Sequence, residues 1–138
     1  MIIVKSALTN CARRLQLRKI ISQEAVEANV KVGVLFSLEL PANVQMTPDL
    51  IAQFDDILLA SYTDTYYNLT LKTISNLRFV HHHCLHASST FVFLDDDHGI
   101  SLKQLRRFFS KFPLSVVRSS IFGHINALSP VMRSNESK

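Results

Sequence analysis

The stretch FVFLDDDHG, residues 91–99, has four apolar residues followed by three aspartates, a histidine and a glycine. The apolar run has the length and composition of a short buried strand, and we predict a strand over residues 90–94. Neighbouring carboxylates repel one another, so the three aspartates at its end need an explanation. They form either a polar turn before a helix that begins near Ser101, or a site that holds a cation.

The cation interpretation depends on which way the carboxylates point. In an extended backbone alternate side chains share a side, so Asp95 and Asp97 point together and Asp96 points elsewhere. Mg²⁺ and Mn²⁺ prefer oxygen ligands, and Mg²⁺ is usually held by one or two carboxylates together with substrate phosphates. An Asp-x-Asp pair therefore suits a shared metal–diphosphate ligand, although the residues alone leave both interpretations open.

Outside this stretch, predicted strands and helices alternate along the chain. We predict strands over residues 1–6, 30–40 and 56–62, helices over 9–22, 63–83 and 102–112, and one or two further strands within 115–128. The alternation is typical of an α/β domain with a mainly parallel sheet and helices on both faces. In such sheets ligands bind beyond the carboxyl ends of the strands, which is where the aspartates fall.

Composition is that of one compact domain. The chain has 138 residues, of which 47% are hydrophobic and 19% charged, with a net charge of +4. Its basic residues form no continuous tract, and we expect no nucleic-acid partner. The apolar start MIIV is too short for a signal peptide or a membrane anchor. Two cysteines, Cys11 and Cys84, give no disulfide framework, and whether they pair stays open.

A second candidate metal site lies in HHHCLH, residues 81–86. Adjacent residues on a helix point about 100° apart and cannot all ligate one ion. We therefore interpret the histidines as a polar helix end that interacts favourably with the helix dipole.

Three blocks together resemble the β-1,3-galactosyltransferase-like family. Residues 5–21 resemble its opening, where a strand and Lys-Ser lead into an R-x-x-I-R-x-T-W helix. Arg14 and Arg18 match that motif, whereas Ile20 and Ile21 replace Thr and Trp. Residues 54–84 are similar to the family's G-D-I-L and D-x-Y-x-N-L-T-L-K-T pattern followed by a Cys, and FVFLDDD resembles its metal-binding strand end.

This resemblance implies a fold and an activity. The fold would be the Rossmann-like, nucleotide-binding half of a GT-A glycosyltransferase, truncated, with residues 1–128 as the partial domain and 129–138 as a polar tail. The activity would be that of a hexosyltransferase that transfers galactose or N-acetylglucosamine from a UDP-sugar donor with Mn²⁺ or Mg²⁺. The glycan acceptor stays unknown. Family members are tethered in the Golgi membrane, and we find no tether in this chain.

The resemblance also implies site residues. Asp97 and Asp95 would bind the metal, and the nucleotide-sugar site would contain Arg14, Arg18, Asp64, Lys72, Asp95 and Asp96. No catalytic base is assigned, because the family's E-D-V motif and late metal-binding histidine have no counterpart here. His98 and Gly99 replace the apolar residue and F-V-N that the family has after its aspartates.

Two alternatives stay open. One is a catalytically incompetent glycosyltransferase fragment that at most binds UDP. The other is a phosphohydrolase similar to the haloacid dehalogenases, in which Asp95 would be the nucleophile of an Asp-x-Asp-x-Thr/Val motif. Gly99 stands where that motif has Thr or Val, and the motif normally begins its domain.

Overall fold

The computed structural model describes residues 1–39, 54–60 and 69–123. Strands and helices alternate as predicted. The elements are β1 Ile2–Lys5, α1 Cys11–Ala28, β2 Val34–Glu39, β3 Ile57–Ala60, α2 Leu69–His83, β4 Val92–Asp95, α3 Leu102–Phe109 and α4 Leu114–Ser119. The predicted polar tail over 129–138 lies outside the described residues.

The four strands form one parallel sheet in the order β3-β2-β1-β4. In the register of this sheet, Lys5 of β1 lies opposite Ser37 of β2 on one side and Asp95 of β4 on the other. The chain adds β2 and β3 to one side of β1 and then β4 to the opposite side. The strand order therefore reverses between β1 and β4, and ligands of such folds bind in the crevice at the carboxyl end of that point.

Helices cover both faces of the sheet, which confirms the Rossmann-like α/β prediction. On one face Ile2, Val4 and Phe36 pack with Leu17 and Ile21 of α1 in a buried cluster. On the other face the buried cluster consists of Ile3, Val80 and Cys84. Alternate residues of β1 thus serve opposite cores, as the pleat of a strand requires.

Polar contacts fix α3 against the end of α1. Glu24 accepts a hydrogen bond from the backbone N–H of Leu102 at 2.8 Å, and Arg106 donates to the carbonyl of Ala28 at 2.8 Å. The hydroxyl of Ser101 accepts from the N–H of Gln104 and caps α3, which begins near Ser101 as predicted. Since α3 follows the aspartates directly, these contacts also hold the far end of the loop that carries them.

The strand prediction within residues 115–128 is wrong where the structure describes it. Helix α4 occupies Leu114–Ser119, and no strand follows as far as residue 123. The β-branched Val116 and Val117 favoured a strand, but Pro113 has an extended backbone and its carbonyl accepts the first helical hydrogen bond, from Val117. Residues 124–128 lie outside the described part of the chain.

Helix α2 buries a face that contains polar as well as apolar residues. Leu69, Ile74 and Leu77 are 40–49% exposed, whereas Lys72 and Asn76 are buried. The buried residues follow the i, i+4 spacing that continues to Val80. The two cysteines are unpaired, Cys11 exposed and Cys84 buried.

Candidate functional site

The three aspartates lie at the crevice between β1 and β4. Asp95 is the last residue of β4, and the N–H of Asp96 donates to the carbonyl of Lys5 at 3.0 Å, which prolongs the pairing of the two strands. The N–H of His98 then donates to the carbonyl of Asp95 at 3.2 Å and closes a tight turn. The turn brings residues 95 and 98 close together.

Asp96 points inward and ties the loop after β4 to the loop after β1. Its carboxylate accepts hydrogen bonds from Ser6 at 2.6 Å, Asn10 at 2.8 Å and Arg13 at 3.3 Å. Burial raises the pKa of Asp96, but these hydrogen bonds and the charge of Arg13 lower it further than burial raises it, so the pKa lies below its usual value. Asp96 therefore stays ionised, and its hydrogen bonds hold the loop after β4 against the loop after β1.

Asp95 and Asp97 are exposed at the crevice. The sequence prediction assumed an extended backbone, but residues 96 and 97 form the turn after β4, and this turn rather than strand alternation brings the two carboxylates together. Their side chains are 52% and 60% exposed. Asp95 forms an ion pair with Lys5 at 2.9 Å, and Asp97 lies 2.6 Å from Nδ1 of His98. One ligand atom from each of Asp95, Asp97 and His98 lies within 4.8 Å of the others. This donor set fits a divalent cation with positions left for substrate oxygens.

An open cleft of about 310 Å³ adjoins the turn. One face of α1 and the loop after β4 line it, with the residues Arg13, Gln16, Leu17, Ile20, Asp96, Asp97, His98 and Gly99. The α1 residues follow the i, i+3, i+4, i+7 spacing of a single helix face. That spacing is visible in the sequence, yet the sequence prediction chose Arg14 and Arg18 and missed Arg13, whose side chain is 56% exposed.

Arg14 and Lys72 lie buried beneath the crevice. Arg14 donates to the hydroxyl of Ser6 at 3.1 Å and to the carbonyls of Ala7 and Leu8. Lys72 donates to the carbonyl of Ser6 at 3.0 Å and lies 3.5 Å from the buried carboxylate of Glu39. Both cations therefore hold the backbone of the loop after β1 in place.

Arg18 lies further along α1 and pairs with Asp56. Asp64 lies outside the described residues. That Arg14, Arg18, Asp64 and Lys72 contact a nucleotide stays a prediction. Within the described ranges, the histidines at 81–83 do not form a group that could hold a metal ion. Asp95, Asp97 and His98 do form such a group.

Comparison with known proteins identifies the family. A model of the galactosyltransferase family matches residues 12–138. The chain belongs to the galactosyltransferase family. It is 29% identical, over 94% of its length, to Beta-1,3-galactosyltransferase brn of Drosophila melanogaster. It is 27% identical, over its whole length, to Lactosylceramide 1,3-N-acetyl-beta-D-glucosaminyltransferase A of Danio rerio. Over 68% of its length it is 35% identical to N-acetyllactosaminide beta-1,3-N-acetylglucosaminyltransferase 2 of Homo sapiens.

These matches cover only part of each relative. The chain spans 40%, 39% and 25% of the three relatives named above. The family and the names of the relatives indicate glycosyltransferases that transfer hexoses, and a glycosyltransferase requires a sugar donor. In the described part of the chain no helix is both long and apolar enough to span a bilayer.

Proposed function

We propose that this chain is the donor-binding part of a β-1,3-hexosyltransferase that uses a UDP-sugar together with Mn²⁺ or Mg²⁺. One observation carries the proposal. In a chain of the galactosyltransferase family, ligand atoms of Asp95 and Asp97 come together at the carboxyl end of the sheet, where its strand order reverses. Nucleotides bind at this position in related α/β folds.

The chemistry of the cleft suits a diphosphate. Asp95 and Asp97 would hold the cation, which when bound offsets the negative charge that develops on a departing nucleoside diphosphate. Arg13 presents a guanidinium to the cleft that Asp97 also lines, and its forked donors match phosphate oxygens. Leu17 and Ile20 add an apolar wall beside it. Asp96 keeps the turn and α1 together, so the cation ligands and the arginine keep a fixed spacing.

The full reaction is assigned to the whole protein. The relatives are named for transfer of galactose or N-acetylglucosamine, and we assign one of these sugars to the donor and a glycan to the acceptor. A site on the Golgi membrane, with its catalytic domain in the lumen, fits this assignment. The described residues contribute donor binding, and the residue that removes a proton from the acceptor hydroxyl is not assigned to them.

Calorimetric titration with UDP tests the donor site. Wild-type protein is titrated with and without Mn²⁺, beside Asp97→Ala and the control Asp55→Ala, which removes an exposed carboxylate before β3. We expect UDP binding that requires Mn²⁺ in the wild type and in Asp55→Ala and is lost in Asp97→Ala. Absence of UDP binding by the folded wild-type protein under both conditions contradicts the proposal.

The same preparations separate the two alternatives. Metal-dependent UDP binding without hydrolysis or transfer of a UDP-sugar is the behaviour of a fragment that only binds its donor. Release of phosphate from a simple phosphomonoester, lost in Asp95→Asn, would favour the phosphohydrolase. In the structure the ammonium group of Lys5 lies 2.9 Å from the carboxylate of Asp95, which lowers the nucleophilicity of that carboxylate and counts against the phosphohydrolase.

A further inference from the structure

We infer that His98 supplies a nitrogen ligand to the same cation as Asp95 and Asp97, so that the site prefers Mn²⁺, Co²⁺ or Zn²⁺ over Mg²⁺. The inference rests on the proposed donor site and adds a residue that changes its metal selectivity. It concerns the residue immediately after the aspartates, where the chain has a histidine rather than an apolar side chain.

The geometry of the turn places the three donors together. The N–H of His98 donates to the carbonyl of Asp95, and this hydrogen bond folds residue 98 back over residue 95. Nδ1 of His98 lies 2.6 Å from Oδ1 of Asp97, and the three ligand atoms lie within 4.8 Å of one another. Ligands bonded to one ion at about 2.1 Å are roughly 3–4 Å apart, so the ion would replace the hydrogen bond between Asp97 and His98 and draw the three ligand atoms around it.

Hydrogen bonds from Ser6 and Asn10 to Asp96 hold the turn in place, which reduces the conformational entropy lost when the turn binds a cation. Asp96, between the two carboxylate ligands, is only 8% exposed and is held by Ser6 and Asn10. By contrast the side chains of Asp95, Asp97 and His98 are 52–65% exposed. The backbone is thus fixed while the donor atoms remain accessible, and three protein ligands leave coordination positions for diphosphate oxygens.

Ligand chemistry then decides which metal binds. Imidazole nitrogen suits Zn²⁺ and other transition metals. Mn²⁺ also takes oxygen ligands, but it belongs to the transition-metal series and gains some affinity from nitrogen, whereas Mg²⁺ prefers carboxylate, carbonyl and water oxygens in an octahedral arrangement. The ammonium group of Lys5, 2.9 Å from Asp95, opposes any divalent cation at this position. It weakens Mg²⁺ and Mn²⁺ alike, because it acts through charge, so it does not cancel the preference that a nitrogen ligand gives.

The experiment compares metals and detects the nitrogen directly. Calorimetry gives the affinities of Mn²⁺, Co²⁺ and Mg²⁺ for the wild type, for His98→Leu, and for the control His86→Leu, which changes an exposed histidine after α2. Pulsed electron paramagnetic resonance of the Mn²⁺-loaded proteins records coupling to a directly bound ¹⁴N nucleus. Circular dichroism confirms that each variant is folded, which the exposure of His98 leads us to expect.

We expect His98→Leu to lose at least about tenfold in Mn²⁺ and Co²⁺ affinity, with Mg²⁺ affinity nearly unchanged, and to lose the ¹⁴N coupling. The control variant should keep both. If Mn²⁺ binds, depends on Asp97, and shows the same affinity and spectrum after His98→Leu, the inference is wrong and the donor site stands. If the wild type binds no metal in the presence or absence of UDP, the proposed function fails and this inference with it.

Discussion

The guanidinium of Arg18 and the carboxylate of Asp56 form a two-pronged ion pair, with Nε–Oδ2 at 2.6 Å and Nη2–Oδ1 at 2.7 Å. The guanidinium also stacks on the rings of Phe36 and Phe54, 4.6 Å and 3.8 Å from their centroids. These contacts join α1 to the segment before β3. The planar face of the guanidinium stacks on the aromatic rings, and its N–H groups donate to the carboxylate. In this structure Arg18 is therefore a stabilising residue, although its motif resembles one expected at a nucleotide pocket.

Substituting Arg18 by lysine tests that role. Lysine keeps the charge but loses the second hydrogen bond and the stacking, so we expect Arg18→Lys to lower the free energy of unfolding by about 1–3 kcal/mol. Affinity for UDP, measured where both proteins are folded, should not change. Urea denaturation and calorimetry provide the two measurements, and Arg107→Lys on the exposed side of α3 is the control. A variant of normal stability with weakened UDP binding would instead support the nucleotide contact that the sequence predicts.

Arg13 is the arginine that faces the cleft, and its removal should have the opposite signature. We expect Arg13→Gln to weaken UDP binding about tenfold, because an arginine–phosphate contact is charge-assisted and forked. The loss should shrink as salt is added, since the cleft is open to solvent. Titrations with UDP at two salt concentrations measure this, with the exposed Lys31→Gln as control. Equal affinities for wild type and Arg13→Gln at low salt would remove Arg13 from the donor site.

Asp96 makes the stability of the site loop dependent on pH. Its pKa in the folded protein is lowered, so the unfolded chain takes up a proton more readily. The stabilisation is therefore fully present above the unfolded pKa of about 3.9 and is lost as the pH falls below that value toward the folded pKa. Urea denaturation of the wild type and Asp96→Asn between pH 7 and pH 3 should show the wild type more stable near neutrality and the difference shrinking in acid. A difference that stays constant over this range would show that ionised Asp96 is not what stabilises the loop.

How much the sequence predicts depends on how local each interaction is. The alternation of apolar strands and amphipathic helices was sufficient to predict the parallel sheet, because it reflects the period of each element. The proximity of the Asp95 and Asp97 carboxylates does not follow from that period, because it comes from the turn after β4. The roles of Lys72 and Arg18 do not follow from it either, because their partners Ser6 and Asp56 are 66 and 38 residues away along the chain. Only the folded structure shows that Lys72 and Arg18 bind partners within the protein.

Helix α2 shows the same limit more strongly. Apolar residues alone would place Leu69, Ile74 and Leu77 on the buried face, but the buried face carries Lys72, which donates to the carbonyl of Ser6. Leu69, Ile74 and Leu77 are consequently left at 40–49% exposure. Long-range polar contacts of Lys72 with Ser6 and Glu39 therefore accompany the packing of Val80 in the orientation of the helix, and the apolar spacing within the helix does not predict these polar contacts.

Asn76, one turn after Lys72 on that buried face, is 1% exposed, and neither its amide nitrogen nor its oxygen has a hydrogen-bond partner in the described part of the chain. A buried amide without partners costs roughly 1–3 kcal/mol relative to an apolar group of similar shape. We therefore expect Asn76→Leu to raise the free energy of unfolding by about that amount. Urea denaturation measures it, with Gln104→Leu on exposed α3 as a control that should stay within about 0.5 kcal/mol. Destabilisation by Asn76→Leu alone would mean that the amide makes hydrogen bonds in solution, and UDP titration of the same variant would show whether those bonds support the donor site.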